Sequence, residues 1–305
     1  MRPEVRWTNL SLKEMSRRLA EQGTPASKRV LRPLLKKLGF VKRKAHKTLA
    51  MGGHPDRDAQ FQNIAKLKQE FLDAGQPVLS IDTKKKELLG TFYRDGKLYS
   101  RDAVRVYDHD FPSFASGTVI PYGIYDLAAN QAHVTLGTSH DTSEFACECL
   151  ALWWEQQGRD RYPTATKLLL LCDGGGSNAS NRHVFKEALQ HLADRLRIEV
   201  RVAHYPPYCS KYNPIEHRVF PHVTRACQGV VFESVELVSD LISRAHTQTG
   251  LTVTTSILNR VFETGRKVAA DFLETCRIVR DNAFPKWNYR AIPTPAPAGP
   301  SPSTT

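Results

Sequence analysis

Residues 167–176 read Lys-Leu-Leu-Leu-Leu-Cys-Asp-Gly-Gly-Gly, and this stretch decides the fold prediction. An unbroken apolar run of this length is typical of a strand that is buried on both faces of a sheet. The run ends at an acid, Asp173, and the glycines that follow indicate a turn. A second apolar run, Pro77-Val-Leu-Ser-Ile-Asp82, also ends at an acid. We therefore expect two buried strands that each carry a carboxylate at the end.

Strand and helix patterns alternate around these two runs. We predict a strand or hairpin over 90–99, turning at Asp95-Gly96, and a second hairpin from strands 119–125 and 132–137. Helical spacing and a further strand pattern follow at these positions: helices over 56–72, 142–157, 181–196, 215–227 and 234–247, and a strand over 198–203. Several strands followed by alternating helices and strands predict an α/β fold, a mixed sheet flanked by helices.

The composition excludes several classes of protein. The chain has 305 residues, of which 24% are charged and 41% apolar, and this balance is typical of a globular protein of about two domains. No apolar run approaches the roughly 20 residues of a membrane helix, and the N-terminus has no signal-peptide core. The 6 cysteines contain no Cys-x-x-Cys pair, so a zinc ribbon and a thioredoxin-like redox site are excluded. We expect reduced thiols in the cytoplasm and no membrane association.

The positive charge is concentrated at the N-terminus. The whole chain has a net charge of +12, and residues 1–50 contain 14 Lys and Arg side chains against 3 Glu. Almost all of the excess charge therefore lies in the first 50 residues. A basic segment on a nearly neutral body indicates a module that binds a polyanion, although a merely solvated terminus would have the same composition.

Two short helices are predicted within this basic segment. Apolar spacing indicates a helix over 11–22 and a second over 27–38, capped by Ser27, and two helices across a short turn fit a helix-turn-helix. Pro33 lies inside the second helix, where proline costs about 3 kcal/mol and we expect a kink. The predicted DNA-binding side chains follow the second helix and the basic run after it: Arg29, Arg32, Lys36, Lys37, Lys42, Arg43 and Lys44.

Three carboxylates are placed so that they could hold metal ions. Asp82 and Asp173 end buried strands, and Glu216 opens a helix after Tyr212-Asn213-Pro214. Two strand ends and a helix start can gather three carboxylates, which is what two Mg²⁺ ions require. Each acid also has a simpler interpretation: a turn residue for Asp173, a strand-end cap for Asp82 and a favourable charge at a helix N-terminus for Glu216. Pattern alone leaves these alternatives open.

Several longer strings resemble a family of bacterial insertion-sequence proteins. The similar segments are His54-Pro-Asp-Arg-Asp-Ala-Gln-Phe61, Ser80-Ile-Asp-Thr-Lys-Lys-Lys-Glu-Leu88, Pro121-Tyr-Gly-Ile-Tyr-Asp126, Ala128-Ala-Asn130, His140-Asp-Thr142, Arg161-Tyr-Pro163, Asp173-Gly-Gly-Gly-Ser-Asn178, Asn213-Pro-Ile-Glu-His-Arg218, Thr249-Gly-Leu-Thr-Val253 and Trp287-Asn-Tyr289. Together they resemble the Rhodopirellula-type DDE transposases over nearly the whole chain. The long strings are specific, whereas Asn-Pro-Ile-Glu is common among DDE transposases.

The resemblance implies an RNase H-like catalytic domain with the triad Asp82, Asp173 and Glu216. These residues would be both the catalytic residues and the ligands of two Mg²⁺ ions, with Mn²⁺ as a substitute. The implied reaction is cleavage of a strand at the element's end, after which the freed 3′-hydroxyl attacks target DNA. Implied partners are double-stranded DNA, as terminal repeats and as target, and further copies of the chain on that DNA. The implied location is the cytoplasm, in association with the nucleoid.

Five segments follow from these patterns and the resemblance. We predict a helix-turn-helix segment over 1–50, a helical linker over 51–75, an RNase H-like DDE domain over 76–250, a C-terminal extension over 251–291 and a disordered Pro-rich tail over 292–305. In the family, a further DNA-binding segment usually precedes the helix-turn-helix, and here Met1 starts almost at that motif. Two alternatives therefore stay open: a truncated DNA-binding remnant that occupies element ends without cutting them, and an RNase H-like nuclease with a host role.

Overall fold

The computed structural model describes residues 7–43, 54–180, 182–269 and 271–295. The chain divides into two compact units, Met1–Ala50 and Met51–Thr305. Within the described ranges, no helix is long and apolar enough to cross a membrane. The functional meaning of the five predicted segments stays a prediction.

The N-terminal unit contains the two predicted helices, α1 (Leu12–Glu21) and α2 (Lys28–Lys37). The Ser11 hydroxyl caps α1 by accepting the Glu14 N–H at 3.1 Å. Ser27 precedes α2 as predicted, but its side chain forms no capping hydrogen bond. Helix α2 continues through Pro33.

Helix α2 leaves most of its apolar side uncovered. Leu31 is its only buried residue among those that the structure describes. Val30, Leu34 and Leu38 are 55%, 46% and 64% exposed. These positions share the predicted apolar side with Leu31, so two short helices are too few to bury it.

The second unit is an α/β domain with one large sheet. Its strands are β1 (Val78–Thr83), β2 (Glu87–Leu89), β3 (Gly117–Asp126), β4 (Gln131–Gly137), β5 (Lys167–Cys172), β6 (Glu199–His204), β7 (Thr252–Leu258), β8 (Ile278–Arg280) and β9 (Asn288–Ala291). Its helices are α3 (Arg57–Asp73), α4 (Ser143–Trp153), α5 (Arg159–Arg161), α6 (His183–Leu196), α7 (Pro214–Arg218), α8 (Phe220–Ala226), α9 (Val235–Ser243) and α10 (Phe272–Thr275).

The order of the strands identifies the architecture. Neighbouring strands run β7-β4-β3-β1-β5-β6-β9-β8, and β2 pairs with β3 at the side. Strand β3 pairs antiparallel with both β4 and β1, whereas β5 pairs in parallel with both β1 and β6. The central order β4-β3-β1-β5-β6 with these directions is that of an RNase H-like sheet. The predicted mixed sheet flanked by helices is therefore confirmed.

Helices cover both faces of the central strands. Leu168 and Leu170 of β5 belong to the core formed with α4 and α6. Leu169 and Leu171, which point to the other face, belong to the core formed with α3. All four are at most 1% exposed. Burial on both faces explains why this strand reads as an unbroken apolar run.

The prediction of a strand or hairpin over 90–99 is wrong. Strand β2 ends at Leu89, and the chain beyond it pairs with residues of a distant loop. Gly90 bridges to Phe232, and the Gly229 N–H donates to the Asp95 carbonyl at 3.1 Å. The Asp95-Gly96 turn therefore contacts a distant loop and does not close a hairpin.

Three predicted helices differ from the observed ones near their ends. The helix predicted over 234–247 is α9, which ends at Ser243. The helix predicted over 215–227 is two helices, α7 and α8, that meet at Val219. Pro221 lies in the first turn of α8, where a missing N–H is tolerated but continuation from a preceding helix is not. The helix predicted over 142–157 is α4, followed by a π-helical turn, Trp154–Gly158.

The segment 251–291 adds strands to the same sheet. Strand β7 pairs in parallel with β4 at one side, and β9 pairs antiparallel with β6 at the other. The C-terminal part of the chain therefore contacts both sides of the central strands, including the strand β6 that lies next to β5.

Candidate active site

The parallel pairing of β1 and β5 brings two of the predicted acids together. Ser80 of β1 is paired with Leu171 of β5. The same register, continued for two residues, places Asp82 opposite Asp173 at the C-terminal ends of the two strands. Both acids are half-buried. The Thr83 N–H donates to Asp82 Oδ1 at 2.8 Å, which orients this carboxylate at the strand end.

The third predicted acid is positioned by a hydrogen-bonded connection between β1 and α7. The Asn213 side chain donates from Nδ2 to the Ile81 carbonyl at 3.0 Å, and its Oδ1 accepts the Ser80 hydroxyl. The Ser80 Oγ also accepts the Ile215 N–H at 2.9 Å. These bonds attach the first turn of α7 to β1, so Glu216 lies over the strand that carries Asp82.

A glycine allows this close approach. Gly123 of β3 is paired with Asp82 of β1. A Cβ atom at Gly123 would lie 2.6 Å from the Ile215 side chain and 2.8 Å from the Phe220 ring. Any larger residue at this position would push α7 and α8 away from the sheet, and Glu216 with them.

The three carboxylates interact electrostatically. Burial, the charge of Asp173 and a hydrogen bond and charge from Glu216 raise the pKa of Asp82 to about 8. Asp82 and Glu216 are therefore close enough to share a proton, and Asp173 is near enough to repel a second negative charge. The structure thus gathers all three predicted catalytic residues.

A divalent cation fits this donor set by its chemistry. Carboxylate oxygens are the ligands of Mg²⁺ and Mn²⁺, and a cation would offset the burial and the repulsion between acids that together raise the Asp82 pKa. In the ranges that the structure describes, no group of three or more His, Cys, Asp and Glu side chains is arranged so that it could hold a metal ion as it stands.

The residues that position the acids were not identified from the sequence. Ser80 and Asn213 are fully buried and link β1 to α7, although both lie in segments that were noted for other reasons. A usable signal was present in Ser80, because a hydroxyl inside an otherwise apolar strand must find a partner.

The predicted DNA-binding side chains are solvent-accessible where they are described. The structure shows this set as exposed: Arg29, Arg32, Lys36, Lys37, Lys42 and Arg43. Lys44 lies outside the described residues. Their role in binding DNA stays a prediction.

Solved structures of a transposase are similar to part of this chain at low sequence identity. The Mos1 transposase paired-end complex with left transposon end is 13% identical, with a TM-score of 0.46, over 79% of this chain and 71% of that chain. The Mos1 paired-end complex with Mg has 12% identity and a TM-score of 0.46, again over 79% and 71%. The complex with Mn has 14% identity and a TM-score of 0.44 over the same shares. No curated protein matches the sequence.

The family comparison covers more of the chain than the matches to solved structures do. The family model described as the Rhodopirellula transposase DDE domain matches residues 1–293. This range includes the first compact unit, nearly all of the second and all three clustered acids. The chain therefore belongs to the Rhodopirellula family of DDE transposases.

Proposed function

We propose that this transposase cuts and joins DNA with Asp82, Asp173 and Glu216 as its catalytic residues and as the ligands of two Mg²⁺ ions, for which Mn²⁺ substitutes. The observation that carries the proposal is the gathering of the acids: Asp82 lies opposite Asp173 on neighbouring parallel strands, and Glu216 forms a hydrogen bond with Asp82. Such a cluster costs free energy in the absence of a cation and becomes favourable with one.

The protein's own contribution is rigid positioning. Asp82 and Asp173 extend from neighbouring parallel strands, and Glu216 is held by the attachment of α7 to β1. When bound, divalent ions would neutralise the phosphodiester and activate the attacking water or 3′-hydroxyl. Ligands that do not reorganise during the reaction give the largest stabilisation of the developing charge, which favours acids on a sheet over acids on loops.

The DNA would be held first by the basic N-terminal unit. Its exposed Lys and Arg side chains can neutralise phosphates, so affinity for element ends and target DNA should fall steeply with salt. We assign Arg29, Arg32, Lys36 and Lys37 of α2, with Lys42, Arg43 and Lys44, to this role. A protein that works on chromosomal DNA would be found in the cytoplasm with the nucleoid.

Self-association on paired DNA ends is the second part of the proposal. The segment 93–114 exposes a group of aromatic side chains: Tyr93, Tyr99, Tyr107, Phe111 and Phe114. It contains 4 Lys and Arg against 4 Asp, so it has no excess charge that would favour a polyanion. Exposed apolar surface without net charge supports contact with a second copy of the chain. A strictly monomeric complex on paired-end DNA, measured by light scattering, would refute this.

The decisive experiment is cleavage of a plasmid that carries the DNA flanking this gene. Wild type should cut at the element's ends only with Mg²⁺ or Mn²⁺. Asp173→Asn should lose cutting while its DNA affinity and salt dependence stay unchanged. Asp160→Asn, the same change at an exposed position of α5, is the matched control and should cut like wild type.

Each other outcome has a definite meaning. Cutting by Asp173→Asn would exclude the proposed mechanism. Binding of the ends without cutting by wild type would favour the alternative, a DNA-binding remnant that occupies element ends. Metal-dependent cutting without any preference for the ends would favour a general nuclease.

A further inference from the structure

A buried histidine contacts the backbone of Asp173 from behind the acid cluster. His204, the last residue of β6, is 0% exposed. Its Nδ1 lies 3.0 Å from the Asp173 carbonyl oxygen and 3.3 Å from the Cys172 Sγ. Its Nε2 lies 2.9 Å from the Tyr289 hydroxyl. Tyr289, His204 and Asp173 thus form a continuous chain of hydrogen bonds.

The partners define which ring nitrogen holds the proton. A carbonyl oxygen can only accept, so Nδ1 must carry the hydrogen that is donated to Asp173. A fully buried imidazole is neutral, because its charged form is costly away from water. The lone pair is therefore on Nε2, where it accepts the hydroxyl hydrogen of Tyr289. The Tyr289 hydroxyl selects the tautomer that can hold Asp173.

The histidine is itself held on both sides of its backbone. Its N–H donates to the Trp287 carbonyl at 3.0 Å, and its carbonyl accepts Nε2 of Gln60 at 2.9 Å. The ring and the peptide groups of His204 are thus bound to α3, β5 and the strand β9 region at once. Because its ring and its backbone are both bound, His204 can hold the Asp173 backbone in one position.

Asp173 lies where such support matters. Strand β5 ends at Cys172, and Gly174, Gly175 and Gly176 follow, of which Gly176 has a φ of +62°. Three successive glycines allow many backbone conformations, so the chain after Asp173 does not restrict this residue by itself. The hydrogen bond that the Asp173 carbonyl accepts from His204 restricts the peptide group between Asp173 and Gly174.

We propose that His204 and Tyr289 are positioning residues that hold the Asp173 backbone, so that its carboxylate is ready to bind a divalent cation. The proposal rests on the proposed function of Asp173 as a metal ligand. Neither residue touches the metal or DNA. Both act through Asp173, and β9 thereby links the C-terminal part of the chain to the acid cluster.

The test uses full-length protein and three variants. Tyr289→Phe removes one hydroxyl from the chain of hydrogen bonds and keeps the ring. His204→Asn keeps an N–H donor near the position of Nδ1, whereas His204→Ala removes it. Tyr162→Phe is the matched control, because it deletes another tyrosine hydroxyl, bound 2.9 Å from the carboxylate oxygens of Asp126 and not to Asp173.

The first measurement is Mn²⁺ binding without DNA, by titration calorimetry. Loss of an outer partner of a metal ligand weakens metal affinity by about 10–100-fold. We expect a loss in this range for Tyr289→Phe and His204→Ala, a smaller loss for His204→Asn, and wild-type affinity for Tyr162→Phe. Equal affinity for Tyr289→Phe and wild type, or an equal loss in Tyr162→Phe, would overturn the proposal.

The second measurement is the tautomer of His204 by ¹⁵N NMR, with His204→Asn identifying the signal. Wild type should show the hydrogen on Nδ1, and Tyr289→Phe should show a changed population. A hydrogen on Nε2 in wild type would overturn the proposal. If wild type binds Mn²⁺ but does not cut DNA, the proposed function fails while these two measurements still decide the positioning role. If wild type binds no Mn²⁺, both fail.

Discussion

The antiparallel strands β1 and β3 hold acids at both ends, and the two ends differ in what surrounds the acid. At one end, Asp126 is paired with Leu79 across the strands. At the other end, Asp82 is paired with Gly123. The pairs are only three residues apart along β1, so the same local sheet geometry supports both acids.

The surroundings of Asp126 are all hydrogen-bond donors. Arg161 Nη1 and the Tyr162 hydroxyl lie 2.9 Å from its carboxylate oxygens. The N–H groups of Ala128 and Ala129 donate to Oδ1 at 3.1 and 3.2 Å. This acid is fully buried, and the chain itself supplies the partners that such a charge requires.

The surroundings of Asp82 are mainly other acids. Asp173 and Glu216 act on it by charge and, for Glu216, by a shared hydrogen bond. An acid surrounded by donors belongs to the structure of the fold, whereas acids gathered together require a cation from outside. The comparison teaches that the neighbours of a carboxylate, rather than its burial, separate the structural acid from the proposed catalytic one.

The largest effect on stability is expected at the donor-rich end. Asp126→Ala leaves the Arg161 guanidinium without its acid, and breaking a buried pair in this way costs about 3–5 kcal/mol of unfolding free energy. Equilibrium urea unfolding measures the loss. Asp160→Ala, at an exposed acid of α5, is the control and should change stability by less than about 0.5 kcal/mol. A loss no larger than that of the control would break the comparison.

A buried histidine, His133, should make the free energy of unfolding depend on pH independently of both groups of acids. Burial lowers the pKa of His133 from 6.5 to about 4. The unfolded chain therefore takes up this proton near pH 6.5 and the folded protein only near pH 4. The stability that neutral, buried His133 allows above pH 6.5 is therefore lost as the pH falls from 6.5 to about 4. Wild type should lose up to about 3 kcal/mol more than His133→Gln over this interval, measured by urea unfolding. Parallel pH profiles would contradict this.

A cation should stabilise the acid-rich end alone. A ligand at about 100 times its Kd raises the unfolding free energy by about 2.7 kcal/mol when it binds only the folded state. Mg²⁺ should raise the Tm of wild type and leave Asp173→Asn nearly unchanged, as measured by scanning calorimetry. An equal rise in both proteins would show that Mg²⁺ binds elsewhere.

The smallest effect is a gain of stability on loss of Asp82, a proposed catalytic acid. The Asp82 pKa is raised from 3.8 to about 8, so the folded protein keeps a proton that the unfolded chain releases. Without metal, stability therefore falls as the pH rises through this interval. Asp82→Asn removes that dependence and should be more stable by about 0.5–2 kcal/mol at alkaline pH. Thermal unfolding in EDTA measures this, and a less stable variant would contradict the repulsion.

Much of the site was predictable from local patterns. Asp82 and Asp173 were identified because apolar runs end at them, and a buried strand is written in the sequence as such a run. The helix that begins near Glu216 was predicted too, but its break at Val219 was not. The strand or hairpin over 90–99 was wrong because its turn residues pair with residues 229–232, far along the chain.

The sequence by itself determined the five central strands β1, β3, β4, β5 and β6, most of the helices, the basic N-terminal segment and the three acids, because each depends on side chains that are near one another in the chain. Only the tertiary structure decided which strands are neighbours and therefore that Asp82 lies beside Asp173. It also decided the buried partners Ser80 with Asn213 and His204 with Tyr289. Hydrogen bonds between residues that are distant in the chain leave no periodic signal, and they form only when packing brings the partners together.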